Sequence, residues 1–188
     1  MSSEVKEKPR ERVLSTAAEL FYRNGLSSVS IDRLCDVAQV SKRSLYQYFG
    51  SRDEIISAML AERGPGLVNL YLGEDENGSP RDRILAVFDQ LQANSTTEGF
   101  SGCPFVNVAS DLRNLNHPAM NLAREFKLRL TGFFERQLVL ARVNDAADYA
   151  IGLTMLFDGA NAHAIMNGSV PDAAVASVAA LLDSIGVR

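Results

Sequence analysis

"GLSSVSIDRLCDVAQVSKRSLYQYFGSRDEI", residues 25–55, holds three serines spaced to open helices, and from Ser41 to Arg52 it carries Lys42, Arg43 and Arg52 with no acid. Ser30 precedes Ile31, Leu34, Cys35 and Ala38, the i, i+3, i+4, i+7 pattern of one buried helical face. A serine at that point accepts a hydrogen bond from an unpaired amide of the first turn. "QVS" then breaks the periodicity, and Ser41 can cap a third helix that turns Leu45 and Phe49 inward until Gly50 ends it. Ser51 and Glu54 have the S-x-x-E spacing of a capping box ahead of Ile55, Ile56, Met59 and Leu60. Two short capped helices joined by a few residues form a helix-turn-helix when a longer amphipathic helix precedes them.

Such a helix does precede them. From Pro9 to Asn24, Val13, Ala17, Leu20 and Phe21 fall on one face, with proline in the first turn and Gly25 just past the end. On the other side, "GPG" at 64–66 kinks or stops the fourth helix, and "GEDENGSP" at 73–80 is linker-like. Further helices are expected at about 80–94, 104–114, 118–142, 145–167 and 171–186, separated by "STTEGFSG", "NLNHP", "RVND" and "NGSVP". No alternating β-branched run argues for a strand. The expectation is an all-α protein of about nine helices. A three-helix helix-turn-helix head, residues 1–50, would stand on a helical body, residues 51–188, for ligand binding and dimerisation.

The 188 residues suffice for a buried core, and a hydrophobic share of 46% is that of a folded protein. No apolar run reaches the length of a membrane helix, and the charged start "MSSEVKEKPRER" has no signal-peptide core. A cytoplasmic protein without a membrane partner is expected. Cys35 and Cys103 lack any partner motif, and His117 and His163 have no ligand at helical spacing, so neither a metal nor another cofactor is expected. Residues 1–60 hold 9 basic and 8 acidic side chains, whereas 61–188 hold 10 and 15. A weakly basic head on an acidic body suits a chain whose head alone meets a polyanion. The basic tail Lys6, Lys8, Arg10 and Arg12 is interleaved with Glu4, Glu7 and Glu11, and reads as an ordinary solvated face.

With Leu45 and Phe49 inward, Lys42, Arg43, Ser44, Tyr46 and Gln47 project outward from a helix that fits the major groove. Lys42 and Arg43 can donate to guanine O6 and N7. The hydroxyls of Tyr46 and Tyr48, Arg52, and Ser30 at its helix start can donate to phosphates, and Ser41 opens the reading helix. Read from charge alone, the same segment is also compatible with a solvated basic face.

These residues resemble the DNA-binding signature of the TetR/AcrR family of bacterial regulators, aligned without gaps from Gly25 to Ile55. The matching features are the glycine after helix one, Ser30 before helix two, "VS" before helix three, "LYxYF" within it, and the serine-basic-acidic-glutamate start of helix four. The resemblance implies base-reading positions at Lys42, Arg43 and Tyr46, and phosphate-contacting ones at Ser30, Ser44, Tyr48 and Arg52. Two residues depart from the pattern: Cys35 where the family often has alanine, and Gln39 where it often has glycine. A non-glycine residue held at positive φ costs about 1 kcal/mol, which reshapes the turn.

The body offers no nucleophile beside a base, no paired carboxylates and no glycine-rich phosphate loop, so it is not read as an enzyme. Aromatic and sulfur side chains on expected inward faces, Phe88, Phe105, Phe126, Phe133 and Met155, are core or the wall of an apolar effector pocket. The resemblance implies such a cavity. Asn107, Asp111 and Asp158 are the polar residues that could orient a ligand there. "GCPFVN", 102–107, resembles a stretch in part of the family, and Cys103 would sit at a helix N-terminus, where a thiolate sensor and a buried inert thiol are both open readings. In the last two helices Ala150, Leu153, Phe157, Ala160 and Ala164, with Val175, Val178 and Leu182, form small and apolar stripes. They read as a helix-packing face, and the resemblance places a four-helix dimer seam there. A C2 homodimer would set two reading helices about one DNA turn apart.

The expected function is therefore a DNA-binding transcriptional regulator, a repressor released from a palindromic double-stranded operator by a small, mostly apolar effector. The rival is a helical ligand-binding or protein-interaction module whose helix-turn-helix no longer reads DNA, a reading that Gln39 alone favours.

Overall fold

A computed structural model describes residues 8–73 and 78–188. Lys6, Glu4 and Glu7 of the basic tail, and residues 74–77 of the linker-like stretch, lie outside the described residues. The described residues form nine helices and no strand: α1 (Pro9–Asn24), α2 (Ile31–Ala38), α3 (Lys42–Tyr48), α4 (Arg52–Leu72), α5 (Pro80–Ser95), α6 (Pro104–Leu112), α7 (Pro118–Leu140), α8 (Ala146–Asn167) and α9 (Asp172–Ser184).

Local chemistry sets where they start. Proline opens α1, α5, α6 and α7, where its missing N–H would have had no helical partner. Ser30, Ser41 and Ser51 each accept from the amide three residues on, at 3.1, 3.0 and 3.1 Å. The expected capping box at Ser51 is displaced by one residue, because the Glu54 carboxylate takes the amide of Gly50 at 2.8 Å. Pro65 neither stops α4 nor ends its hydrogen-bonded run, and the helix continues to Leu72.

The apolar faces assemble into two clusters. The first joins Val13, Ala17, Leu34, Leu45, Ile55 and Leu60 of α1–α4 to Phe105 and Val108 of α6 and Phe126 of α7. The helix-turn-helix thus shares its core with the body. The second joins Ile84, Phe88 and Leu91 of α5, Leu130 and Phe134 of α7, Leu153 and Phe157 of α8, and Val178 and Leu182 of α9. Helix α7 passes through both and packs against α4, α5, α6 and α8. Tyr71, near the end of α4, touches both clusters, and an aromatic-lined cavity lies at that junction. Among the described residues, no helix is long and apolar enough to cross a membrane.

Candidate nucleic-acid face and ligand cavity

Helix α3 is amphipathic in the sense its sequence requires. Leu45 is fully buried and Phe49 nearly so, which leaves Ser41, Lys42, Arg43, Tyr46, Gln47 and Tyr48 exposed. Ser30 at the start of α2 is exposed beside them, and Ser44 is half-buried, its hydroxyl 2.9 Å from that of Ser41. Lys42 is not a free cation: its ammonium lies 2.6 Å from the Asp32 carboxylate, and that hydrogen bond raises its pKa. Arg43 has no ion pair among the described residues, so it is the unengaged basic group of α3. Arg33 and Val37 of α2 share the exposed surface and were not picked out in the sequence, since nothing in the α2 pattern separates a groove-facing side chain from an ordinary solvated one.

The turn between α2 and α3 carries its strain openly. Gln39 has φ 52° and ψ 49°, a left-handed conformation that costs a residue with a Cβ about 1 kcal/mol. Arg12 of α1 braces it, Nε donating to Ala38 O at 3.2 Å and Nη2 to Gln39 O at 3.4 Å. Arg52, expected at a phosphate, also has a structural role that the sequence did not suggest. Its guanidinium lies against the Phe21 ring at 5.4 Å and donates to the carbonyls of Leu26 and Val29. It therefore holds the α1–α2 loop, with both bonds made by Nη2.

A cavity of about 200 Å³ opens at the junction of the two clusters. Its walls are the rings of Tyr22, Tyr71, Phe100, Phe126 and Phe157, with Cys103, Asn94, Asn161 and Arg63. Tyr22 also ties head to body: its hydroxyl donates to Gly102 O and accepts from Ser101 N, both at 2.9 Å. Burial raises the Tyr22 pKa, opposed by the Ser101 amide and by Arg63, so it stays a neutral donor. Gly102 is required in this loop, because φ is +80° and a Cβ there would stand 2.6 Å from Ile165 Cδ1. Cys103 stands at the N-terminus of α6 as the sequence suggests, but burial pushes its thiol pKa up against the pull of Lys127 and the amides of Val106 and Phe105. Desolvation outweighs the helix terminus, and the thiol is held protonated.

The other residues expected to touch ligand are distributed differently. Phe126 lines the cavity, and Phe105 stacks on it at 4.4 Å and faces a smaller surface pocket of about 150 Å³ beside Gly64 and Pro65. Phe88 and Phe133 belong to the second cluster, in contact with Phe134. Met155 is 69% exposed, on the outer face of α8. Asn107 donates to Ser101 O at 2.5 Å, shaping the loop. Asp111 accepts from Leu26 N at 2.7 Å, so it joins α6 to the loop before α2. Asp158 is paired with Lys127, which lies over the rings of Phe126 and Phe157, behind the cavity wall. Sequence reading missed Tyr22, Arg63, Tyr71, Asn94 and Asn161. Asn161 had a signal: it stands one turn after Phe157, a polar residue on the inward face of an apolar helix.

The proposed seam residues also require correction. Ala150, Leu153, Phe157, Ala160, Ala164, Val178 and Leu182 are buried within the chain and Val175 is half-buried, all packed in the second cluster. Helix α8 is apolar on every side, so periodicity alone cannot say which face is internal. The face left uncovered bears Ile151, Met155, Leu156, Ile165 and Met166, 42–75% exposed. Gly152 and Gly159 of α8 have no neighbour within 4 Å of where a Cβ would stand, and an apolar groove of about 370 Å³ runs from Met155 to Ala174 and Ser177 of α9. Among the described residues, no cluster of side chains could hold a metal ion.

Residues 13–59 match the family described as bacterial regulatory proteins, tetR family. The HTH-type transcriptional repressor NemR of Escherichia coli K12 is 31% identical over 120 residues, 62% of this chain and 60% of that protein. The match thus spans less than two thirds of that relative's length. Among solved structures, a protein of Streptomyces avermitilis assigned to the TetR regulators superposes with TM-score 0.90 at 35% identity, covering 97% of this chain and 100% of that one. A TetR-family transcriptional regulator of Streptomyces coelicolor gives 0.87 at 25% identity over 94% and 95%. The reduced form of E. coli NemR gives 0.79 at 25% identity over 97% and 99%.

Proposed function

Because the chain belongs to the TetR family of bacterial regulatory proteins, we propose that it is a cytoplasmic, homodimeric repressor released from a roughly palindromic operator by a small, mostly apolar effector. The observation that carries this reading is the exposed row on α3, Ser41, Lys42, Arg43, Tyr46, Gln47 and Tyr48, presented by a capped helix whose Leu45 and Phe49 are buried. Residues 1–50 are the DNA-binding part and 51–188 the effector and dimer part. Arg43 reads base edges, while Tyr46, Tyr48 and Ser30 contact bases or phosphates.

The uncovered face of α8 and α9 supports dimerisation, since its large apolar groups and the two glycines with open space beside them fit close packing of a second copy around a two-fold axis. The cavity beside Tyr22 and Cys103 supports an effector site. A ligand there would bear on the bonds from Tyr22 to the 101–102 loop, and through α1 on the spacing of the two reading helices.

Fluorescence anisotropy tests the reading, using duplexes from the DNA flanking the protein's own gene, random duplex as control, and two salt concentrations. The expected result is salt-sensitive binding at two protomers per site that prefers one near-palindrome. Arg43→Ala should cost the preferred site about 1–3 kcal/mol and leave random duplex little changed. Weak binding equal for every duplex would instead favour a ligand-binding module whose head has lost DNA reading.

A further inference from the structure

The cavity at the cluster junction has one charged lining residue, Arg63 of α4. Arg63 is half-buried, its guanidinium 5.7 Å from the centroid of the Tyr22 ring. It makes no ion pair and no hydrogen bond with any described residue. Asp111 shares a small recess with it, yet its Oδ2 accepts from the Leu26 amide. Asp158 is held by Lys127 behind the aromatic wall. The neighbouring surface pocket provides the contrast, because its Arg129 is paired with Glu125 at 2.6 Å. A half-buried guanidinium with no counter-ion among the described residues, beside an apolar hollow, has donors available to an anionic ligand.

We infer that the cavity takes a small planar organic acid, its carboxylate gripped by Arg63 and its ring packed among Tyr71, Phe126 and Phe157. The inference rests on the reading of this cavity as the effector site. A guanidinium presents paired donors that match a carboxylate, and the fit strengthens where water is displaced. The volume of about 200 Å³ suits one substituted ring or two small fused ones, since an engineered cavity of about 150 Å³ accepts benzene. Asn161 adds a polar contact: its Nδ2 donates to Phe157 O at 2.9 Å, while its Oδ1 receives no bond from a described residue and can accept from a ring hydroxyl. A neutral analogue of the same shape would leave Arg63 unpaired, which is how the site discriminates.

Isothermal titration of the full chain with benzoate, 4-hydroxybenzoate and 2-naphthoate, each against its own carboxamide, tests the assignment. At least one acid should bind tenfold or more tighter than its amide. Arg63→Gln should abolish that preference and Arg63→Lys should keep part of it, with thermal melting confirming that both variants fold. The assignment is overturned if no probe binds, if acid and amide bind alike in the wild type, or if the preference survives Arg63→Gln. Operator anisotropy on the same preparation separates the two readings. Tight operator binding without acid preference removes only the ligand class, and acid preference without operator binding removes only the regulator reading.

Discussion

Arg52 carries the sharpest residue-level consequence, because its guanidinium holds the carbonyls of Leu26 and Val29 and covers the Phe21 ring. Arg52→Ala should lower the unfolding free energy by about 2 kcal/mol in urea titration, the usual worth of hydrogen bonds to a charged donor. An exposed phosphate contact would leave the urea midpoint unmoved. At Gln39, relief of about 1 kcal/mol of left-handed strain by Gln39→Gly competes with about 0.4–1 kcal/mol for the greater freedom of glycine in the unfolded chain, for a net gain of at most about 0.6 kcal/mol. Thermal melting checks it. Cys103 is governed by burial, which keeps its thiol protonated. Its iodoacetamide labelling should be slow at neutral pH and still rising where a free thiol has levelled off. The sign for stability follows: the folded state retains the proton, so this contribution is intact below the ordinary thiol pKa and is lost as pH climbs through the raised one.

At the scale of elements, α3 and α8 behave in opposite ways. Helix α3 is short and strictly two-faced, so the spacing of Leu45 and Phe49 told which side faces out, and the exposed row was legible before any tertiary contact was known. Helix α8 is apolar around its whole circumference. Its inward stripe of Ala150, Leu153, Phe157, Ala160 and Ala164 is as small and greasy as a seam, and its outward stripe of Ile151, Met155 and Met166 is equally apolar. Only the position of α5, α7 and α9 decides between them. Met155→Glu should therefore move the protein from two protomers to one in sedimentation, with its melting curve still cooperative. A dimer that persists through Met155→Glu paired with Leu156→Glu would place the seam elsewhere.

Across the whole molecule, the head and body share one apolar cluster and are joined by Tyr22 to the 101–102 loop and by Asp111 to Leu26. Tyr22→Phe deletes both bonds of the hydroxyl, for about 1–2 kcal/mol of stability. It should also shrink the loss of operator affinity that an effector produces, measured by anisotropy with and without the ligand. The sequence by itself determined the helices, their starts and the exposed row of α3, because serine caps, proline starts and apolar spacing act within a turn or two of chain. It also flagged Gln39, since a residue with a Cβ where glycine is usual must show its strain locally. The cavity and the role of each charged group were decided by tertiary structure alone. Tyr22, Arg63, Tyr71, Asn161 and Cys103 meet from three helices and a loop, and whether an arginine is braced like Arg52 or, like Arg63, lacks an ion pair among the described residues depends on carbonyls and carboxylates brought close only when the chain folds.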